Sequence, residues 1–181
     1  MSVAFDATFL LYLFAPPGQV SVPLDENGAL IKHVPERVQL LFDDIEKSGT
    51  TIIVPTPALS EIYVRAGVEA GQEWIRIMKK AKVFRISNFD EIAAAEGAIM
   101  VGAAKKCPAI KPQTDGTWAK IKYDKQIVAI AVSQGAKTLY TDDHNQGNFA
   151  RRYGLQVVGV GDCPLPPSIA QLELEFSDGQ K

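Results

Sequence analysis

Five carboxylates stand where an α/β chain would gather them. Asp6 closes the short apolar run Ser2–Phe5, and Asp142 and Asp143 close the apolar run Lys137–Thr141. Glu61 lies about one turn into the helical pattern that begins at Thr56-Pro57, and Asp124 stands at the head of the pattern Tyr123–Gln134. In parallel sheets, ligands bind beyond the carboxyl ends of the strands. If the strands run parallel, all five acids lie at or near that edge, with Asp124 the least constrained. Carboxylates crowded in a low dielectric repel, and such a group persists only with protons or cations. All-oxygen ligands suit the hard ions Mg²⁺ or Mn²⁺, and His144 is the one nitrogen ligand nearby. Two such ions about 3.5–4 Å apart can activate a water and stabilise a leaving oxygen in phosphodiester cleavage.

Each acid also has a plainer use. Asp6 and Asp124 could cap the helices that follow them, and Asp142 and Asp143 could shape the turn after their strand. Glu61 could simply favour a helix dipole. Thr8 or Thr141 could orient a ligand or a metal-bound water through its hydroxyl. His144 reads as a solvated loop residue, and His33 lies outside the group. Lys105, Lys106, Lys111, Lys120, Lys122 and Lys125, with Trp118 and Tyr123, form either a basic and aromatic surface for a nucleic-acid strand or a solvated loop. Arg151 and Arg152 read as a solvated helix face.

The elements that must position these residues follow from pattern. Ser2–Phe5, Thr51–Val54, Lys82–Ile86, Lys137–Thr141 and Leu155–Val160 read as strands. Thr8–Phe14, Val34–Lys47, Thr56 to about Arg65, Gln72–Lys80, Phe89–Ala104, Tyr123–Gln134 and Asn148–Tyr153 read as helices. Thr56 reads as a cap with Pro57 at the first helical position, and Ser87 or Asn88 as the cap of the alanine-rich helix. Gly49 is placed to end its helix in a left-handed conformation. Residues 19–32 read as a loop or short hairpin. Trp74, Ile75, Ile77 and Met78 pack on the core or on a partner. The small residues at 93–104 permit close helix approach, either internal or in a dimer.

Bulk properties bound the rest. A chain of 181 residues, 46% apolar and 22% charged, suits one globular domain. Its net charge of −2 provides no global attraction to nucleic acid. The two cysteines, Cys107 and Cys163, form no CxxC pair, so a reduced compartment is expected. The start has an apolar run without a basic region, and Asp6 interrupts it, which makes a poor signal peptide. No stretch reaches the length of a membrane span.

Four segments carry a family resemblance: VAFDATFLLYLF, VPTPALSEIYVRAG, KYDKQIVAIAVSQGAKTLYTDD and TDDHNQGNFARRYGLQVV. In this order they resemble the PIN-domain nucleases, especially the VapC-like toxins of toxin–antitoxin pairs, over Val3 to about Val160. The resemblance implies a PIN-like three-layer α/β/α sandwich with a central, mainly parallel sheet of about five strands. Residues 1–165 would form the nuclease domain and 166–181 a C-terminal tail. It implies a metal site of Asp6, Glu61, Asp124 and Asp143 or Asp142, Asp143 matching the family's T-x-D form slightly better. It further implies a cytoplasmic, Mg²⁺- or Mn²⁺-dependent endoribonuclease, with an RNA substrate, an antitoxin partner and a homodimer, and no membrane. The chain exceeds a typical VapC-like toxin at residues 16–33, at 105–122 and in the tail. Two other classes stay open. One is a non-catalytic PIN-like module that binds RNA or protein. The other is a phosphotransfer domain, against which Thr8 and Asn88 stand where such folds want aspartates.

Overall fold

The computed structural model describes residues 1–16, 18–25, 27–106 and 118–171, with side chains described except at 103–106 and 118–122. The apolar runs fold into β1 (Ser2–Phe5), β2 (Thr51–Pro55), β3 (Phe84–Ser87), β4 (Thr138–Tyr140) and β5 (Gln156–Val158). They form one five-stranded sheet in the order β3-β2-β1-β4-β5, and every pairing is parallel. Short apolar strands joined by helical crossovers dictate this result, because parallel neighbours need a crossover to bury both sheet faces. The sheet is thus parallel throughout, not merely in the main.

The helices are α1 (Ala7–Phe14), α2 (Val34–Lys47), α3 (Thr56–Ala66), α4 (Val68–Lys80), α5 (Glu91–Lys106), α6 (Trp118–Ser133) and α7 (His144–Arg152). They flank the sheet and close a core in which Phe5, Phe9, Ile52, Ile53, Ile62, Met78, Ile127, Ile130 and Leu139 are fully buried. Trp74 stacks on Phe14 with ring centroids 5.9 Å apart, so the α4 pattern serves the core, although Ile77 stays exposed. Of the small residues of α5, Ala93 is fully buried and a Cβ on Gly97 would lie 3.6 Å from Ala129, while Ala94, Ala95 and Ala98 are exposed. Gly49 ends α2 at φ +67, its N–H donating to Glu46 O and that of Thr50 to Ile45 O, as expected for a left-handed terminus.

Several helix starts differ from the sequence pattern. Pro55, not Thr56, precedes α3, so Thr56 is already helical. The cap of α5 is neither Ser87 nor Asn88; the Asp90 carboxylate accepts from Ala93 N–H at 2.9 Å. The α4 helix begins at Val68, directly after Gly67, and α7 begins at His144 rather than Asn148. Most consequential, α6 begins at Trp118, so Asp124 is its seventh residue and not its head. Helix ends are chosen by whichever acceptor reaches the first free N–H groups, and several polar residues compete at each boundary.

Two expected features of chain length are partly visible. Residues 18–32 form an arm with an antiparallel bridge between Leu24 and Leu30. Residues 167–171 form a helical turn, and 172–181 lie outside the described residues. No helix among the described residues is long and apolar enough to cross a membrane.

The central strands set the stability of this arrangement. Ile53→Ala, in a strand buried on both faces, is expected to cost about 2–5 kcal/mol in urea unfolding. Leu24→Ala, at a side chain 61% exposed, should change stability by less than about 0.5 kcal/mol.

Candidate active site

The sheet order makes β1 central, with β2 and β4 beside it, and the chain leaves their carboxyl ends into α3, α1 and α7. Asp6 follows β1 without a gap. Its N–H continues the ladder by donating to Tyr140 O at 3.2 Å. Its carboxylate is 4% exposed and is held at both oxygens. Oδ1 accepts from Phe9 N–H at 2.9 Å, which caps α1. Oδ2 accepts from the Thr141 hydroxyl at 2.6 Å. Capping and site formation are therefore both performed by one residue, through different oxygens.

Register explains the Thr141 contact. Phe5 pairs with Tyr140, so the next residues, Asp6 and Thr141, leave adjacent strands side by side. Thr141 Oγ1 also accepts from Asp143 N–H at 3.0 Å. Thr8 lies half-buried in the first turn of α1, and it is the Thr141 hydroxyl that donates to Asp6.

Asp142 and Asp143 separate at this turn. Asp143 caps α7, its Oδ1 accepting from Gln146 N–H at 3.0 Å. Asp142 turns the other way, and its Oδ1 accepts from Val160 N–H at 2.8 Å. Its Oδ2 is buried and makes no hydrogen bond of full geometry among the described residues. The Tyr12 hydroxyl stands beside this carboxylate. Tyr12 sits in the apolar run of α1 and reads in the sequence as core. Its phenol is nevertheless one of only two side-chain polar groups in ATFLLYLF, and that is the signal that could have singled it out.

Electrostatics ties three of the acids together. Burial raises Asp6 to about 7, the bonds from Thr141 and Phe9 oppose the rise, and repulsion from Asp142 and Glu61 adds to it. Asp142 is also raised, first by burial and then against the bond from Val160. Tyr12 is raised by burial and by Asp142 and Asp6, with Arg65 opposing. Asp6 thus feels both Asp142 and Glu61.

Glu61 is the sixth residue of α3, beyond the first turn, so service to the helix dipole is not its position. It lines a cleft of about 300 Å³ with Pro57, Ser60, Val64, Arg65 and Tyr123. Asp124, next to Tyr123 and half-buried, lies where α6 packs on α3. Placed in the second turn of α6, it is not a helix cap. His144 is exposed at the start of α7, and Arg151 and Arg152 are exposed at its end, as expected of solvated positions. His33 adopts a left-handed conformation before α2, and its Nδ1 lies 4.0 Å from Glu36 Oε1. Of the basic surface, Lys125 lies over the Phe149 ring at 5.8 Å, and Tyr123 is 45% exposed. Lys111, and the side chains of Lys105, Lys106, Trp118, Lys120 and Lys122, lie outside the described residues.

Among the described residues, no group of three or more His, Cys, Asp or Glu is placed to hold a metal ion. The donor chemistry still fits a hard divalent cation. Such an ion keeps several waters and takes only one or two carboxylates. A buried carboxylate oxygen without a full hydrogen bond, beside a second buried carboxyl, would suit that ligation, and positive charge there would relieve the repulsion.

No protein-family model matches the sequence, and no curated protein matches it by sequence. Solved structures do match the fold. The VapBC2 complex of Rickettsia felis, bound to a DNA fragment from its promoter, contains a chain with TM-score 0.57 and 16% identity. DNA-bound VapBC of Salmonella typhimurium matches at 0.54 and 15%, and VapBC-1 of nontypeable Haemophilus influenzae at 0.53 and 15%. Each match covers 88% of this chain and 98% of the other. The chain has a PIN-like fold. A PIN-like sheet with β1 at its centre is what brings Asp6, Asp142 and Glu61 to one edge.

Two outcomes test this geometry. Asp6 has a folded-state pKa above its unfolded value, so the folded state binds its proton more tightly. Its effect on stability is favourable below about pH 4 and is lost as pH rises through about 7. In EDTA, Asp6→Asn should remove a fall on the order of 2–4 kcal/mol between pH 4 and 8, read from unfolding curves of both proteins. Thr141→Val removes the donor to Asp6 and the acceptor for Asp143 N–H, and should cost about 1–3 kcal/mol in the same measurement.

Proposed function

We propose that this chain is a divalent-metal-dependent endoribonuclease, acting on RNA phosphodiester bonds as the toxin half of a toxin–antitoxin pair. The observation that carries the reading is the buried Asp6 carboxylate, locked by Thr141 and coupled to Asp142 and Glu61 at the carboxyl edge of a PIN-like sheet. Asp6 and Asp142 supply the inner oxygen ligands, with Glu61 at the mouth. Asp124 and Asp143 complete the acidic group in this reading, Asp143 at the start of α7. Mg²⁺ or Mn²⁺, when bound, supplies Lewis-acid stabilisation of phosphate charge and lowers the pKa of a water.

The chain's own residues have definite tasks here. Thr141 orients Asp6 by donating to Oδ2, and Val160 N–H holds Asp142 by Oδ1. Tyr12 and Arg65 border the carboxylates, and Arg65 offers a cation at the cleft where an RNA phosphate would lie. The likeness to chains of VapBC complexes supports an antitoxin as protein partner. The exposed Val64 and Val68, 84% and 61% exposed, give a homodimer an apolar surface to cover. A cytoplasmic location accords with this reading, since its RNA substrate is there.

The test is cleavage of single-stranded RNA by purified protein with Mn²⁺. Cleavage should stop in EDTA and fall at least about 100-fold in Asp6→Asn, leaving 5′-phosphate and 3′-hydroxyl ends. Cleavage that survives both treatments excludes the mechanism. RNA binding without cleavage at any metal concentration would favour a non-catalytic PIN-like module.

A further inference from the structure

The arm at residues 18–32 is built rather than loose. Asp25 Oδ1 accepts from Asn27 N–H at 2.9 Å and Ala29 N–H at 2.8 Å, and Asp25 N–H donates to Ala29 O at 2.7 Å. Ile31 N–H donates to Pro23 O at 3.0 Å, closing the arm below the Leu24–Leu30 bridge. Its base lies against the 3-10 turn Val160–Asp162 that follows β5.

One guanidinium joins the two. Arg37, in the first turns of α2, donates through Nε to Lys32 O at 3.1 Å, at the root of the arm. Its Nη1 donates to Gly161 O at 3.3 Å and to Cys163 O. A planar guanidinium fixes the relative placement of groups it bridges better than a lysine would. The turn's backbone also lies close against side chains of the arm and of the site. A Cβ on Gly161 would come within 3.0 Å of Ile31 Cδ1, and one on Gly159 within 2.9 Å of Asp142 Oδ1.

That turn is what aims Asp142. Its first N–H, from Val160, is the donor to Asp142 Oδ1, and Oδ2 is left buried beside the Tyr12 hydroxyl. The turn itself is short, held by Asp162 N–H to Gly159 O at 3.1 Å and Cys163 N–H to Val160 O at 3.2 Å. Bonds of this kind inside three residues fix its shape but not its position over the sheet. Position comes from β5, from burial of Val160 and Cys163, and from Arg37 and Ile31.

We propose that Arg37 is a positioning residue for the cation site: it anchors the Val160–Asp162 turn to the root of the 18–32 arm, and the turn in turn sets Asp142 for the ion. The inference rests on the metal-dependent reading above. Partners that orient a ligand without touching the ion typically change metal affinity by about 10–100-fold.

The experiment is Mn²⁺ titration by calorimetry on the full chain stripped with EDTA, beside thermal melts and near-ultraviolet circular dichroism. The wild type should bind Mn²⁺, and Asp142→Asn should weaken binding. Arg37→Ala should weaken it by about tenfold or more while keeping a cooperative melt, and Arg37→Lys should recover part of the loss. Gly159→Ala leaves Arg37 intact but presses on Asp142, and should weaken binding similarly. If Arg37→Ala does not melt cooperatively, Arg37→Lys and Gly159→Ala decide, and wild-type affinity in both overturns the proposal. Affinity lost in Asp142→Asn but unchanged in folded Arg37→Ala overturns the role of Arg37 alone. Unchanged affinity in Asp142→Asn removes Asp142 as a ligand and the proposal with it, while the metal reading stands. A wild type that takes up no Mn²⁺ overturns both.

Discussion

A carboxyl group at the end of the central strand, 4% exposed, is the constraint around which this molecule is arranged. Transfer of a charge from water into such a place is costly unless it is bonded and balanced. Two neutral donors meet Asp6, Phe9 N–H and the Thr141 hydroxyl, and neither brings positive charge. The remaining imbalance appears as a raised proton affinity, increased further by Asp142 and Glu61. A site so built holds a proton or a cation. The same bond that steadies Asp6 joins β1 to the residue after β4, so the local electrostatics and the strand register support one another.

The order β3-β2-β1-β4-β5 gives that residue its neighbours. The chain winds outward from β1 through β2 to β3 and then returns to β4 on the other side of β1, so the connections diverge at the centre of the sheet. Ligands in parallel α/β sheets collect at such a switch point, because the helices leaving in opposite directions open a crevice there. The α3 helix follows β2 without a loop and carries Glu61 over the crevice, while Asp142 enters from the β4 side. The apolar strands thus do more than form a core. Their near-continuous hydrophobicity forces burial on both faces and leaves only the strand ends for polar work.

Much of this arrangement was legible in the residues. The strands at Ser2–Phe5 and Thr51–Pro55, the helix Val34–Lys47 and its end at Gly49 follow from β-branched runs, helical spacing and a left-handed glycine. Helix beginnings were less legible. Asp90 rather than Ser87 or Asn88 caps α5, and α6 runs back past Asp124 to Trp118, because several residues can satisfy the first free N–H groups and only packing selects among them. That difference changes how Asp124 is understood: a position two turns into a helix has no free backbone N–H to cap. Tyr12 looked like core because its neighbours are core, although its hydroxyl reaches Asp142.

What the amino-acid sequence determined unaided is the periodicity, and with it the strand–helix alternation, the parallel sheet and the placing of acids just after β1 and β4. Those follow from local rules, since burial and spacing act over a few residues. What only the tertiary structure decided is how the adjacent Asp142 and Asp143 divide, one held by Val160 N–H and one capping α7. It also decided that Arg37 would reach carbonyls 124 and 126 residues away. Both depend on where distant backbone groups come to rest, and a hydrogen bond is lost within a few tenths of an ångström or a modest rotation. No pattern along the chain encodes a distance of that kind.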